Sequence, residues 1–288
     1  MNNDGQKKIL VAFDGSPSSR NALRQAITLG ERRRRPVEVL AVVPDYEGDL
    51  ELVGVSNLKE TLRGPTDRLA AQAREVADSL SAEVDIRVEH GEAYEKIIDA
   101  AKTDDCDLIV MGRRGLRRME RMLMGSVTAR VISHSGTNVL VIPRDADIGW
   151  ENICVATDGS QYSEAALELA IEYARELDGR ITIVAAVDSH PEYYGGATDF
   201  VDKMGEKATA NLRDAAGKVK AAGVSVQTLL LRGEPAQELT DMAKREGCGI
   251  IFAGSRGRSG IKKLLMGSVT EKIIGMACCP VFVAKSRD

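Results

Sequence analysis

The amino-acid sequence predicts an α/β fold built twice: two tandem doubly wound, Rossmann-like domains, residues 1–148 and 149–288, each with a five-stranded parallel sheet and helices on both faces. Length is the first observation, since 288 residues accommodate two domains of ~150. Internal repetition is the second. The run Leu123-Met124-Gly125-Ser126-Val127-Thr128 recurs as Leu265-Met266-Gly267-Ser268-Val269-Thr270 at an offset of 142, and Asp14-Gly15-Ser16 recurs as Asp158-Gly159-Ser160 at an offset of 144. Gly91-Glu92 and Cys106 recur as Gly233-Glu234 and Cys248, again 142 apart. So long a period fits duplicated domains rather than a solenoid, whose repeats run ~20–50 residues. Third, apolar runs of strand length alternate with amphipathic stretches, the pattern of parallel strands joined by right-handed crossovers.

In order, Lys8 to Phe13 reads as a strand, and Ser16-Pro17 marks the entry to a helix from Ser18 to about Arg33, with Ala22, Ala26, Ile27 and Leu29 at helical spacing. Val37 to Val43 is a second strand with little alternation, hence covered on both faces, and Pro44 ends it. A long loop follows, then a helix from about Thr66 to Leu80, strand Val84 to Glu89, helix Ala93 to Lys102 and strand Leu108 to Met111. After another loop come helix Ser126 to Ser133 and strand Asn138 to Ile142. The second half retraces the order, from Ile153 to Ala156 through to Val281 to Ala284, with the boundary just before Trp150.

Composition narrows the function classes. With 43% hydrophobic and 28% charged residues the chain can build a core, which excludes disordered and collagen-like classes. Residues 1–148 carry 22 basic and 24 acidic side chains and the remainder 17 and 19, so each half has net charge −2. That balance argues against nucleic-acid binding. No apolar run approaches the ~20 residues of a membrane span and no signal sequence opens the chain, so a cytoplasmic location and no membrane partner are expected. The five cysteines form no C-x-x-C pair, and Cys278-Cys279 precedes an apolar strand as core thiols do. Three scattered histidines make no zinc site, so no metal ligands are assigned.

The chemistry points to one loop. After the fourth strand the first half reads Gly112-Arg113-Arg114-Gly115, nine residues, then Gly125-Ser126 opening a helix; the second reads Gly254-Ser255-Arg256-Gly257, nine residues, then Gly267-Ser268. Glycines let backbone N–H groups approach an oxyanion closely, and a helix N-terminus with Ser126 and Thr128 favours phosphate. Turn-making glycines and a capping serine would give the same residues, but recurrence at identical spacing favours the phosphate cradle. Arg113, Arg114, Arg117, Arg118 and Arg121, like Arg256, Arg258, Lys262 and Lys263, would either clamp a triphosphate or form a solvated loop. The run Arg32-Arg33-Arg34-Arg35 ends a helix, where cations suit the dipole. Tyr46-Glu47-Gly48 and Tyr193-Tyr194-Gly195-Gly196 lie in loops that either close over a ligand or form variable surface.

The pattern G-x2-G-x9-G-S, with an early Asp-Gly-Ser and a closing Asn138-Val139-Leu140-Val141-Ile142-Pro143 strand, resembles the universal stress protein family in tandem form, over nearly the whole chain. The resemblance implies a five-stranded parallel sheet holding ATP, with Mg on its phosphates, at the strand ends of each half. It implies that Asp14 and Asp158, with Gly15 and Gly159 beside them, face the adenosine, next to Ala12 and Ala156. Val42 and Ala186 match the position whose backbone meets the adenine edge. Met111, Gly112, Gly115, Gly125 and Ser126 match ribose and phosphate positions, extended by Val127 and Thr128; Gly254, Gly257, Gly267, Ser268, Val269 and Thr270 repeat them. Ala253 in place of Met111 and Ala186 in place of Val42 reduce apolar contact and mark the second site as the weaker. The family's dimers imply an intramolecular pseudo-dimer of the two halves, with the closing strands pairing, and leave a homodimer of tandem chains open. The function implied is stress-response regulation by adenine nucleotide. A slow ATPase or phosphotransferase is the alternative, but no catalytic residue is assigned, because no duplicated Gln, His or Glu stands beside the glycine loop. A ligand-free interaction protein is the third reading.

Overall fold

A computed structural model describes residues 7–45, 58–114, 124–188, 198–257 and 266–286. The first repeat runs β1 Lys8–Phe13, α1 Pro17–Arg33, β2 Val37–Val43, α2 Leu58–Ser79, β3 Asp85–His90, α3 Ala93–Thr103, β4 Cys106–Gly112, α4 Ser126–His134 and β5 Asn138–Ile142. The second runs β6 Asn152–Ala156, α5 Gln161–Leu177, β7 Arg180–Val187, α6 Thr198–Ala221, β8 Val226–Arg232, α7 Pro235–Arg245, β9 Ile250–Gly254, α8 Ser268–Met276 and β10 Val281–Ala284. The doubly wound α/β class read from the sequence is the fold observed.

By internal contacts the chain forms two compact units, and their division differs from the repeat boundary. Unit 1 comprises residues 1–120, 125–131 and 142–145; unit 2 comprises 121–124, 132–141 and 146–288. Unit 1 has the parallel strand order β3-β2-β1-β4, with Ala12 opposite both Leu40 and Met111. Unit 2 has the parallel order β10-β9-β6-β7-β8, and most of β5 lies in it, antiparallel to β10 with Leu140 opposite Phe282. The two closing strands thus pair.

Past their first residues the central strands are apolar because helices cover them. Ile9, Leu10, Val11, Ile109 and Val110 are buried in unit 1, and Ile153, Cys154, Val155, Ile251 and Phe252 in unit 2. Tyr173 anchors the unit 2 core, stacked on Trp150 at 5.2 Å and edge-on to Phe252 at 5.8 Å and Phe282 at 5.3 Å.

Helix starts follow their caps. Ser16 accepts a hydrogen bond from Ser19 N at 3.2 Å ahead of Pro17, and Ser160 accepts one from Ser163 N at 3.3 Å. Helix α1 ends on Arg34, left-handed at φ 53°, whose N–H meets the carbonyls of Glu31 and Gly30. Helix α2 begins at Leu58, ahead of the start expected near Thr66, and runs through Pro65. A proline lacks a helical N–H and reads as a boundary, which is why the sequence placed the start after it.

Candidate functional site

In each unit the ends of the central strands meet at the glycines. The turn after β1 passes through Gly15 at φ +75° and the turn after β6 through Gly159 at φ +74°, a left-handed conformation that glycine adopts without strain. The carboxylates of these turns are tied to their own backbone: Asp14 Oδ1 accepts from Ser16 N at 3.0 Å and Asp158 Oδ1 from Ser160 N at 3.0 Å.

Strand β4 ends against α1 so closely that a β-carbon on Gly112 would lie 2.7 Å from Ser18 Cβ and 2.9 Å from Ser19 N. On Gly254 it would lie 2.6 Å from the backbone carbon of Tyr162. These first glycines hold strand and helix together. Gly257 differs, because its missing β-carbon would face Asp158 Oδ2 at 2.9 Å, so the glycine turn and the Asp-Gly-Ser turn share one wall. Gly115, its counterpart, lies outside the described residues, as do Arg117, Arg118, Arg121, Arg258, Lys262, Lys263, Tyr46 to Gly48 and Tyr193 to Gly196.

The chain returns to the same place at the helix starts. Gly125 N donates to Arg113 O and Gly267 N to Ser255 O, both at 2.9 Å. Arg113 N in turn donates to Ile142 O at 2.8 Å and Ser255 N to Ala284 O at 3.0 Å. Thr128 Oγ1 donates to Gly112 O at 3.1 Å and Thr270 Oγ1 to Gly254 O at 2.8 Å, and both threonines are buried. Their hydroxyl protons therefore clamp helix to strand end. First-turn N–H groups have no intrahelical acceptor, and at α8 the capping residue Gly267 brings no side-chain bond to them. They point where Ser126 and Ser268 are exposed, with Val127 half-buried and Val269 exposed. That geometry suits an anion.

The remaining candidates sit around these turns. Ala12 and Met111 are buried neighbours on β1 and β4, while Ala156, Val42 and Ala186 are half-buried at their strand ends, and Ala253 is buried. Arg114 is exposed, and its carbonyl accepts from Ser16 Oγ at 3.5 Å. Arg256 behaves differently: its guanidinium lies 5.7 Å from the Tyr162 ring centroid and donates to Tyr162 Oη at 3.3 Å. The residue after Ser16 and Pro17 in the first repeat is Ser18, which offers no ring.

Lys285, at the end of β10, is also near Arg256. Its ammonium donates to Ile132 O, and burial together with the Arg256 charge holds its pKa down at about 8. Sequence reasoning missed Tyr162 and Lys285, neither of which belongs to a repeated motif. Away from the site, the wholly buried Cys154 thiol, hydrogen-bonded to Cys248, is held well above the usual cysteine range. Burial pushes Cys106 up to about 11 and Cys279 to about 12, as inert core thiols require. Among the described residues no three His, Cys, Asp or Glu side chains gather to hold a metal ion, and no helix is long and apolar enough to cross a membrane.

Two doubly wound units, each with a glycine-lined turn between a central strand and a helix start, define a tandem α/β protein whose strand-end turn is built twice. The chain belongs to the universal stress protein family, whose sequence model matches residues 6–143 and again 149–285. Universal stress protein Rv2623 of Mycobacterium tuberculosis is 28% identical over 291 residues, covering 96% of both chains. Universal stress protein MJ0531 of Methanocaldococcus jannaschii is 32% identical over 148 residues, half of this chain and 87% of that protein. The crystal structure of a universal stress protein from Archaeoglobus fulgidus superimposes with a TM-score of 0.74, at 23% identity, over 98% of this chain and 97% of that one.

Proposed function

We propose that each repeat binds an adenine nucleotide, ATP with Mg on its phosphates, and that this tandem universal stress protein regulates by binding rather than by turnover. One observation carries the reading: the contacts that shape the cleft occur twice. Thr128 and Thr270 make the same bond to the strand end, Gly125 and Gly267 the same bond across the turn, and Asp14 and Asp158 the same turn contact. Gly125, Gly267 and the open N–H groups after them would hold the phosphates, and the nucleotide's charge would suit the helix dipole. Mg keeps water and phosphate ligands, so the phosphates themselves would carry it. The carboxylates Asp14 and Asp158 would accept hydrogen bonds from ribose hydroxyls. Val42 and Ala186 would meet the base.

The test is nucleotide content. Protein purified from its source, denatured and analysed by ion exchange with mass detection, should release adenine nucleotide, two per chain when both sites fill and one when unit 2 is the weaker. Asp14→Asn with Asp158→Asn should keep the fold and weaken ATP binding. No nucleotide on extraction, and none bound at millimolar ATP, overturns the reading. ADP in place of ATP, with turnover in a phosphate-release assay, replaces regulation by hydrolysis.

A further inference from the structure

Two side chains outside the glycine motif stand over the Asp-Gly-Ser turn, one in each unit. Gly15 and Gly159 present bare α-carbons to the helix packed beside them. In unit 1 the group nearest the β-carbon position of Gly15 is Oε1 of Gln72 on α2. In unit 2 it is the carboxamide of Asn211 on α6, with Cγ at 2.7 Å from the equivalent point on Gly159. Both side chains are half-buried, and neither hydrogen-bonds to another group among the described residues.

Gln72 and Asn211 differ in length, so what the two repeats share at this point is a functional group rather than a residue. Neither amide is among the buried polar atoms left without a partner, and a half-buried carboxamide at the same point of both repeats can hydrogen-bond a ligand in place of water. Its place is definite: in unit 2, Gly257 touches Asp158, Asp158 adjoins Gly159, and Asn211 lies against Gly159. The amide therefore packs on the same Asp-Gly-Ser turn that Gly257 faces. A carboxamide offers a donor and an acceptor side by side, which match N7 and the N6 amino group of adenine. Guanine shows two acceptors, N7 and O6, at that edge.

Resting on the nucleotide reading above, we propose that Gln72 and Asn211 read the base, selecting adenine over guanine in units 1 and 2 respectively. The glycine turns and helix starts act on phosphates, which ATP and GTP share, so discrimination falls to the groups at the base, the backbone at Val42 and Ala186 together with these two amides. A bidentate amide–adenine pair discriminates by roughly 5- to 150-fold.

The full-length chain carrying Gln72→Leu and Asn211→Leu is titrated calorimetrically with ATP, GTP and inorganic tripolyphosphate. The wild-type preference for ATP over GTP should collapse by about tenfold or more, with tripolyphosphate affinity unchanged. Gln72→Glu with Asn211→Asp keeps the shape, removes the donor and should give the same collapse, while Asn211→Gln should preserve the preference. An unchanged ATP to GTP ratio in variants with wild-type circular dichroism overturns the proposal, and so does an equal loss for both nucleotides. A wild-type chain that binds neither nucleotide overturns the nucleotide reading itself and this proposal with it; ATP binding with an unaltered ratio overturns this proposal alone.

Discussion

Alanine at Gly257 separates the site from the fold. A β-carbon there would lie 2.9 Å from Asp158 Oδ2 and within 4 Å of nothing else described. An ordinary carbon–oxygen contact requires the carboxylate to retreat by about half an ångström. Since Gly257 does not have a left-handed φ, alanine brings no backbone strain, and the narrower unfolded ensemble returns ~0.4–1 kcal/mol. Stability should therefore change by less than about 0.5 kcal/mol, because the small clash and the entropic gain offset each other. Binding should not escape. Displacing a carboxylate that accepts a ligand hydroxyl costs ~1.5–3 kcal/mol, roughly 10- to 150-fold in affinity, at the unit 2 site only. Gly254→Ala is the control, because its β-carbon would meet the Tyr162 backbone carbon at 2.6 Å and oxygen at 2.8 Å, atoms that cannot rotate away. That overpacking should cost about 3 kcal/mol and lower Tm by ~6–12 °C. Calorimetric titration with ATP and thermal melting of both variants decide the matter. Wild-type affinity at both sites in Gly257→Ala, or an unshifted Tm in Gly254→Ala, would refute the division of roles between the two glycines.

Other perturbations address the rest of the site. Thr128→Val and Thr270→Val each leave a strand-end carbonyl without its buried donor and should cost ~1–2 kcal/mol in urea unfolding; no loss would remove the clamp. Tyr162→Ser frees Arg256 from the ring it stacks on, worth ~0.5–1 kcal/mol, and should tighten ATP at unit 2 about two- to fivefold. Weaker or unchanged binding would mean that Arg256 does not reach the ligand. Lys285 has a folded pKa of about 8, below its unfolded value of 10.5, so the unfolded chain binds more protons between those values. Its contribution to stability should therefore rise with pH from about 8 to 10.5, and the stability difference between wild type and Lys285→Met should shift in favour of wild type over that window. A difference that stays flat across the window rules out the buried lysine as its source.

The fold was legible because two signals were redundant: strands with nearly continuous apolar runs imply covered faces, and the repeat showed each element twice. Boundaries were lost where local rules misled, as at Pro65, which stands inside α2. The glycine motif marked the strand-end turns, yet spacing alone did not say that Gly112 and Gly254 pack on α1 and α5 while Gly257 faces Asp158. That distinction depends on which atoms stand opposite a missing β-carbon. Gln72 and Asn211 were illegible for another reason. They lie in helices whose sequences do not repeat, and only the folded chain brings them to the turn. Lys285 lies beside Arg256, 29 residues away, because β9 and β10 pair in parallel.

The pairing of β5 with β10 bears on how the chain is made. Val139 faces Val283 and Val141 faces Val281, so on a ribosome one edge of β5 has no partner until residues 281–284, some 140 positions further on, have been added. Such separation along the chain slows closure, and a bare apolar edge invites pairing with another nascent chain meanwhile. A messenger truncated shortly before the codon for Val281 would yield a product with the whole first repeat and most of the second, yet with that edge still open. Such a product would depend on chaperones or proteolysis, whereas a chain that includes Val281 to Ala284 closes the edge itself.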